Sequence, residues 1–149
     1  MKIAWVVPVG LLLLALGCGG PLVMLPGGSL SGTLTSTPSD WAFTDAVETV
    51  QLETRPEDPY SVNIWGVAVD DRFFIVSGRG MESAWAQHIA ADPNVKLRVG
   101  SDLYELRAIR SEDSAVRERF LTALTAKYED FDPDAQDSSN AILYHLEAR

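Results

Sequence analysis

Tyr60-Ser61-Val62-Asn63-Ile64-Trp65-Gly66-Val67-Ala68-Val69, followed by Asp70-Asp71 and then Arg72-Phe73-Phe74-Ile75-Val76-Ser77, is the stretch whose reading decides the fold. Both halves are rich in β-branched and aromatic side chains, and the aspartate pair between them favours a tight turn. The segment therefore reads as a hairpin. Residues 62–69 are apolar on both faces, which is the pattern of a strand covered on both sides. We expect a single long strand over Tyr60 to Val69, set centrally in a sheet.

The pattern continues outward in both directions. Upstream, Val47 to Glu53 reads as a strand, separated from Tyr60 by Thr54-Arg55-Pro56-Glu57-Asp58-Pro59, whose two prolines forbid a regular helix. Downstream, Gly78-Arg79-Gly80 breaks the strand, and Glu82 to Ala91 carries Trp85, His88, Ile89 and Asp92 on one helical face before Pro93 stops it. Asn94 to Val99 and Leu103 to Ile109 alternate around Gly100-Ser101-Asp102, which predicts another hairpin. Ser111 is placed to cap a helix from Glu112 to about Tyr128, with Glu112 and Asp113 in its first turn and Val116, Phe120, Leu124 and Tyr128 repeating every four residues. Ala141 to Glu147 closes the chain as a strand with Ile142, Tyr144 and Leu146 on one face. Six strands with two helices set into them predict an α+β domain whose sheet curls into a barrel.

Ahead of this domain lies a different kind of sequence. One charge at Lys2 precedes an apolar run from Ile3 to Leu16, which ends in Gly17-Cys18-Gly19-Gly20. This is the layout of a secretory signal, and the run is shorter than the roughly 20 residues a spanning helix needs. Leu14-Ala15-Leu16-Gly17-Cys18 resembles the bacterial lipoprotein box, with Ala15 where Leu is the common choice. The expectation is a signal peptide over 1–17 and acylation of Cys18, the only cysteine in the chain. Such a protein would be held to a membrane of the bacterial cell envelope by its lipid anchor. Gly19 after the cysteine favours the outer membrane in a diderm host. Residues 18–40, rich in Gly, Pro, Ser and Thr, read as a lipidated tether, with a short edge strand within Ser29 to Thr35. The domain proper is expected over 41–149.

Charge narrows the partners. Without Lys2 the chain has 11 Lys and Arg against 21 Asp and Glu. Nucleic acids and anionic headgroups are bound mainly through positive charge, so nucleic acid is not an expected partner. Two histidines without thiols or a His-x-x-x-His spacing give no expected metal site.

The order of strand, hairpin, short Trp-bearing helix, hairpin, helix and strand resembles the FMN-binding split-barrel proteins, the pyridoxamine 5'-phosphate oxidase-like superfamily, and within it the deazaflavin-dependent nitroreductase-like branch. The residues that carry the likeness are Ser61 to Trp65, Phe73 to Gly80 (FFIVSGRG), Trp85, Ala90 to Leu97 (AADPNVKL) and Ala126-Lys127-Tyr128. The resemblance spans about residues 47–147 and implies a six-stranded split barrel, an FMN or deazaflavin cofactor and, with a cofactor at a subunit interface, a homodimer. It also implies a basic, glycine-containing loop gripping the cofactor phosphate between the first two strands. Here that loop carries one arginine, Arg55, among Glu53, Glu57 and Asp58.

Candidate ligand residues follow from the same region. Arg79 sits between two glycines, where backbone N–H groups can approach an anion that the guanidinium pairs with. With Ser77, Gly78, Gly80 and Trp85 it forms the expected cofactor-binding set, to which Trp65 is added as a ring-stacking surface. His88 reads as a hydrogen-bonded structural histidine. Catalytic side chains are not identified, because a bound cofactor would carry the redox chemistry. Two functions stay open: a lipid-anchored split barrel that binds a flavin-like, planar anionic cofactor and acts as an oxidoreductase, and a cofactor-free barrel that serves as a binding or structural module.

Overall fold

The computed structural model describes residues 25–133 and 139–149; Cys18 and the signal-like segment lie outside them. The order is β1 (Thr33–Leu34), β2 (Val50–Thr54), β3 (Tyr60–Ile64), β4 (Gly66–Val69), β5 (Arg72–Ser77), α1 (Ala84–Ala91), β6 (Asn94–Val99), β7 (Asp102–Ser111), α2 (Ser114–Lys127) and β8 (Ile142–Ala148), with short 3-10 turns at Ala42–Ala46 and Gly80–Glu82. Strands are hydrogen-bonded in the order β3-β2-β6-β7-β8-β5-β4, and β1 pairs with β7. All pairs except β1 with β7 are antiparallel.

The long strand expected over 60–69 is two strands. Val50 pairs with Ile64 on one side of the break, and Gly66 pairs with Ile75 on the other. β3 and β4 therefore form the two ends of the seven-strand path rather than its centre, and Trp65 joins them covalently. That join curls the sheet back on itself into a split barrel. Gly66 is what the bend requires: a Cβ there would lie 2.4 Å from the ring of Phe73, so only glycine lets this ring close over the backbone. The apolar character of both faces has a different cause from a central position. Ala68 packs on the interior cluster, whereas Val67 and Val69 face α2.

The rest of the alternation reads true. Leu52, Phe73, Ile75, Val95, Leu97, Leu106, Ile142, Tyr144 and Leu146 fill the interior. Phe120, Leu124 and Tyr128 are the buried stripe of α2 and pack with Val67, Phe74 and Leu143 against the outer face. The cap of α2 differs from expectation. Asp113, not Ser111, accepts from Ala115 N (2.8 Å) and Val116 N (3.3 Å). β7 continues through Ser111, which pairs with Leu143, so that serine is spent in the sheet.

Part of the segment read as tether belongs to the packed body. Gly27 pairs with Ser61, Thr33 N donates to Ser101 O at 2.8 Å, and Leu30 is buried. Glu53 makes this docking specific: it is 2 % exposed, accepts from Leu30 N and is held by Lys96 Nζ at 3.0 Å. A buried carboxylate persists when it is paired and hydrogen-bonded in this way. Composition alone cannot reveal that, because the partners lie 23 and 43 residues away in sequence.

Candidate functional site

The bend at Trp65, the end of β5 and the start of α1 meet around a cleft of about 400 Å3. Its lining includes Trp65, Ser77, Gly78, Arg79 and Trp85, so five of the six expected ligand residues converge on one place, with Ile64, Val76, Ser83, Leu124 and Phe131 completing the wall. Gly80, the sixth, does not line the cleft.

The turn after β5 is built by hydrogen bonds. Ser77 is buried, and its Oγ lies 2.8 Å from both Gly80 O and Ser83 Oγ. A hydroxyl has one proton, so a donation to Gly80 leaves the Ser83 hydroxyl as donor to Ser77. Ser77 is thus occupied in holding the turn. Gly80 has φ +54, and a Cβ on it would fall 2.2 Å from Asn140 O; both the left-handed backbone and the crossing segment at Asn140 demand glycine. Arg79 projects from this turn three-quarters exposed, with Glu82 3.6 Å from its Nε.

Trp65 is 42 % exposed, unusual for so large an apolar side chain, and stacks on Tyr128 at 4.5 Å between ring centroids and 13° between planes. The end of α2 fixes it there. Tyr128 OH donates to Glu48 O (2.8 Å) and accepts from Gly66 N (3.2 Å), while Lys127 Nζ donates to Thr44 O (2.9 Å) and Gly66 O (2.8 Å). Burial raises the Tyr128 pKa and lowers that of Lys127. Trp85, by contrast, is 8 % exposed and sits 5.9 Å from Tyr144 in the interior cluster, so it contributes an edge to the cleft rather than a platform.

The histidines are elsewhere. His88 Nδ1 lies 2.9 Å from Thr54 Oγ1, with Tyr60 edge-on at 4.9 Å, which matches its reading as a structural histidine. Burial, then the Arg55 charge, hold its pKa below 6.5, with Asp58 opposing. His145 Nε2 pairs with Glu147 at 2.8 Å.

The loop between β2 and β3 stands apart from the cleft. The five residues of β3 separate them, about 16 Å at strand rise. Arg55 is committed within the loop, with Nη2 3.2 Å from Asp58 and the guanidinium 5.7 Å from the centre of the Tyr60 ring. Glu53, expected to crowd this loop, turns away to Lys96 and Leu30. Sequence reasoning missed Leu124 and Phe131 in the cleft wall and Tyr128 behind Trp65. The four-residue repeat marked Leu124 and Tyr128 as a buried face without saying what they would cover; nothing marked Phe131.

The architecture defines a split-barrel fold, and solved structures with that fold superpose on it. They include an FAD-binding protein from Mesorhizobium loti (TM-score 0.52, 15% identity, 70% of this chain and 83% of that one). An F420-H2 dependent reductase, FDR-A, matches with TM-score 0.55 and 17% identity over 68% of this chain and 95% of that one. HutZ, the heme storage protein from Vibrio cholerae, matches with TM-score 0.59 and 14% identity over 72% and 85%. At such identities the likeness is one of fold. Residues 42–141 match the family described as "uncharacterized protein conserved in bacteria (DUF2255)", and the chain belongs to that family. No protein of curated function matches it.

Proposed function

We propose that this protein is an envelope lipoprotein whose cleft binds a flavin-like cofactor, FMN or a deazaflavin, and positions it for oxidoreductase chemistry. The observation that carries the reading is the convergence of Trp65, Ser77, Gly78, Arg79 and Trp85 on one cleft from a strand bend, a strand end and a helix. Its volume of about 400 Å3 falls within the range of small-molecule sites, and its mainly apolar wall with few polar groups has their usual make-up.

The residues present fit the group at its ring end. Trp65, held flat by Tyr128, offers an indole plane, and Arg79 offers a guanidinium at the rim. A cofactor would supply the redox chemistry when bound; the chain would bind it, orient it and shield one side with Leu124 and Phe131. The β2–β3 loop does not fit the phosphate role implied by the resemblance, because it carries no glycine and its one arginine, Arg55, stands beside Glu57 and Asp58.

Titrating FMN and a deazaflavin into the full-length protein in detergent, with cofactor fluorescence as the readout, tests the reading. We expect saturable binding that Arg79→Ala weakens tenfold to a hundredfold, the loss of a charge-assisted contact of about 1.5 to 3 kcal/mol. Absence of binding up to millimolar ligand would favour the cofactor-free module. The membrane attachment rests on the layout of residues 1–18, and Cys18→Ser should abolish radiolabelled palmitate incorporation in the native host. Label persisting on that variant would remove the lipid anchor.

A further inference from the structure

Next to the cleft lies a second groove of about 510 Å3 that includes Arg79, Met81, Glu82, Arg110, Asn140 and Ile142 in its lining. Arg79 lines both spaces. The two are joined by the sheet itself: Ser77 pairs with Ile142 and Arg110 pairs with Tyr144 across the adjacent strand. At strand spacing and rise, the Cα atoms of Ser77 and Arg110 are about 12 Å apart.

The geometry points to this groove as an anion subsite in which Arg79 and Arg110 together hold the phosphate-bearing tail of the ligand whose ring occupies the cleft. This rests on the cofactor reading above and deepens it by relocating the phosphate from the β2–β3 loop. Three observations support it. In an acidic chain, the groove gathers two arginines beside the ring site. Among the described residues each pairs with an exposed carboxylate, Glu82 at 3.6 Å from Arg79 and Glu112 at 3.2 Å from Arg110; exposed pairs of this kind contribute little and yield to a better anion. Arg55, the alternative, stands alone: it is the one arginine of a loop that also carries Glu57 and Asp58, and it lies over the Tyr60 ring. Guanidinium groups suit phosphate oxygens because they donate in a planar fork. Gly80 holds the groove's shape, since its lack of a side chain lets the Asn140 backbone cross against the turn.

The test compares FMN with riboflavin, which has the same ring system without the phosphate, and adds inorganic pyrophosphate as a ring-free probe. All three are titrated into full-length protein in detergent, by fluorescence for the flavins and calorimetry for pyrophosphate. We expect FMN to bind at least tenfold more tightly than riboflavin. Arg110→Gln should reduce that preference to about twofold by weakening FMN alone, and it should weaken pyrophosphate binding by a similar factor. Equal binding of FMN and riboflavin, or FMN binding indifferent to Arg110→Gln, would overturn the subsite while leaving the ring cleft standing. Pyrophosphate binding sensitive to Arg110→Gln, without binding of either flavin, would support the subsite and sink the cofactor reading instead. A chain that binds none of the three overturns both.

Discussion

The two ends of β3 make opposite use of the same kinds of residue. At the Tyr60 end, an arginine, an aromatic ring and an acid close on each other: Arg55 lies over Tyr60 and reaches Asp58. At the Ile64 end, the aromatic ring is propped open. Trp65 is stacked on Tyr128, half exposed, and the nearby Arg79 pairs, among the described residues, with a solvent-exposed glutamate. The difference is set by what supports each side chain. Proline-rich loop backbone lets Arg55 fold onto its own neighbours, whereas Trp65 is fixed from behind by an entire helix end through Tyr128 and Lys127. Binding sites need side chains whose positions are determined by something other than the ligand. Only one end of β3 meets that condition.

The sharpest way to break this contrast is to collapse the open end. Gly80→Ala places a side chain at φ +54 and 2.2 Å from Asn140 O, where backbone strain of about 1 to 3 kcal/mol adds to the displacement of a crossing backbone. A total loss of about 3 kcal/mol is expected, read as a drop in Tm of roughly 10 °C by thermal denaturation. Gly78→Ala is the control two residues away: a Cβ there meets nothing within 4 Å, so its stability should stay within about 0.5 kcal/mol of wild type. Equal behaviour of the two variants would mean that the left-handed backbone and the Asn140 crossing do not constrain Gly80.

Much of this contrast was legible in the sequence, and the remainder was hidden for identifiable reasons. Alternation gave the strands their inward faces, as with Ile142, Tyr144 and Leu146, because period two follows from the pleat itself. Gly78-Arg79-Gly80 stood out as a glycine-flanked turn, of which Gly80 alone takes backbone that ordinary residues avoid. The split of residues 60–69 did not show, because no local signal distinguishes a strand covered on both faces by its neighbours from a chain that bends and changes partners. Gly66 was the only hint, and its meaning depends on Phe73 lying over it. The docking of residues 27–35 was legible only as the short edge strand expected within Ser29 to Thr35, which forms at Thr33–Leu34; composition reports the cost of ordering a segment, not the Glu53 and Lys96 pair that offsets it. Similarly, Tyr128 was placed on a buried stripe, but its hydroxyl contacts at Glu48 and Gly66 cross 80 and 62 residues of sequence.

A smaller effect sharpens the comparison from the closed end. His88 sits over the β2–β3 loop with its pKa held below 6.5, first by burial and then by the charge of Arg55, with Asp58 pulling the other way. Removing that charge in Arg55→Gln should raise the His88 pKa, but not to the unperturbed value, because burial remains; Asp58→Asn should lower it further. Both shifts are measurable by NMR titration of the His88 ring protons. The consequence for stability has a definite sign. A depressed folded pKa means that the unfolded chain binds more protons between that pKa and 6.5, so this contribution to stability is complete above pH 6.5 and is lost as pH falls through the folded value. Arg55→Gln narrows that window and should make the fold less sensitive to acid. At the same time it should change FMN affinity by less than about twofold, since β3 holds the loop about 16 Å from the cleft. Should the variant weaken FMN tenfold while shifting His88 as expected, the arginine would be gripping the ligand after all, and the two ends of β3 would belong to one site.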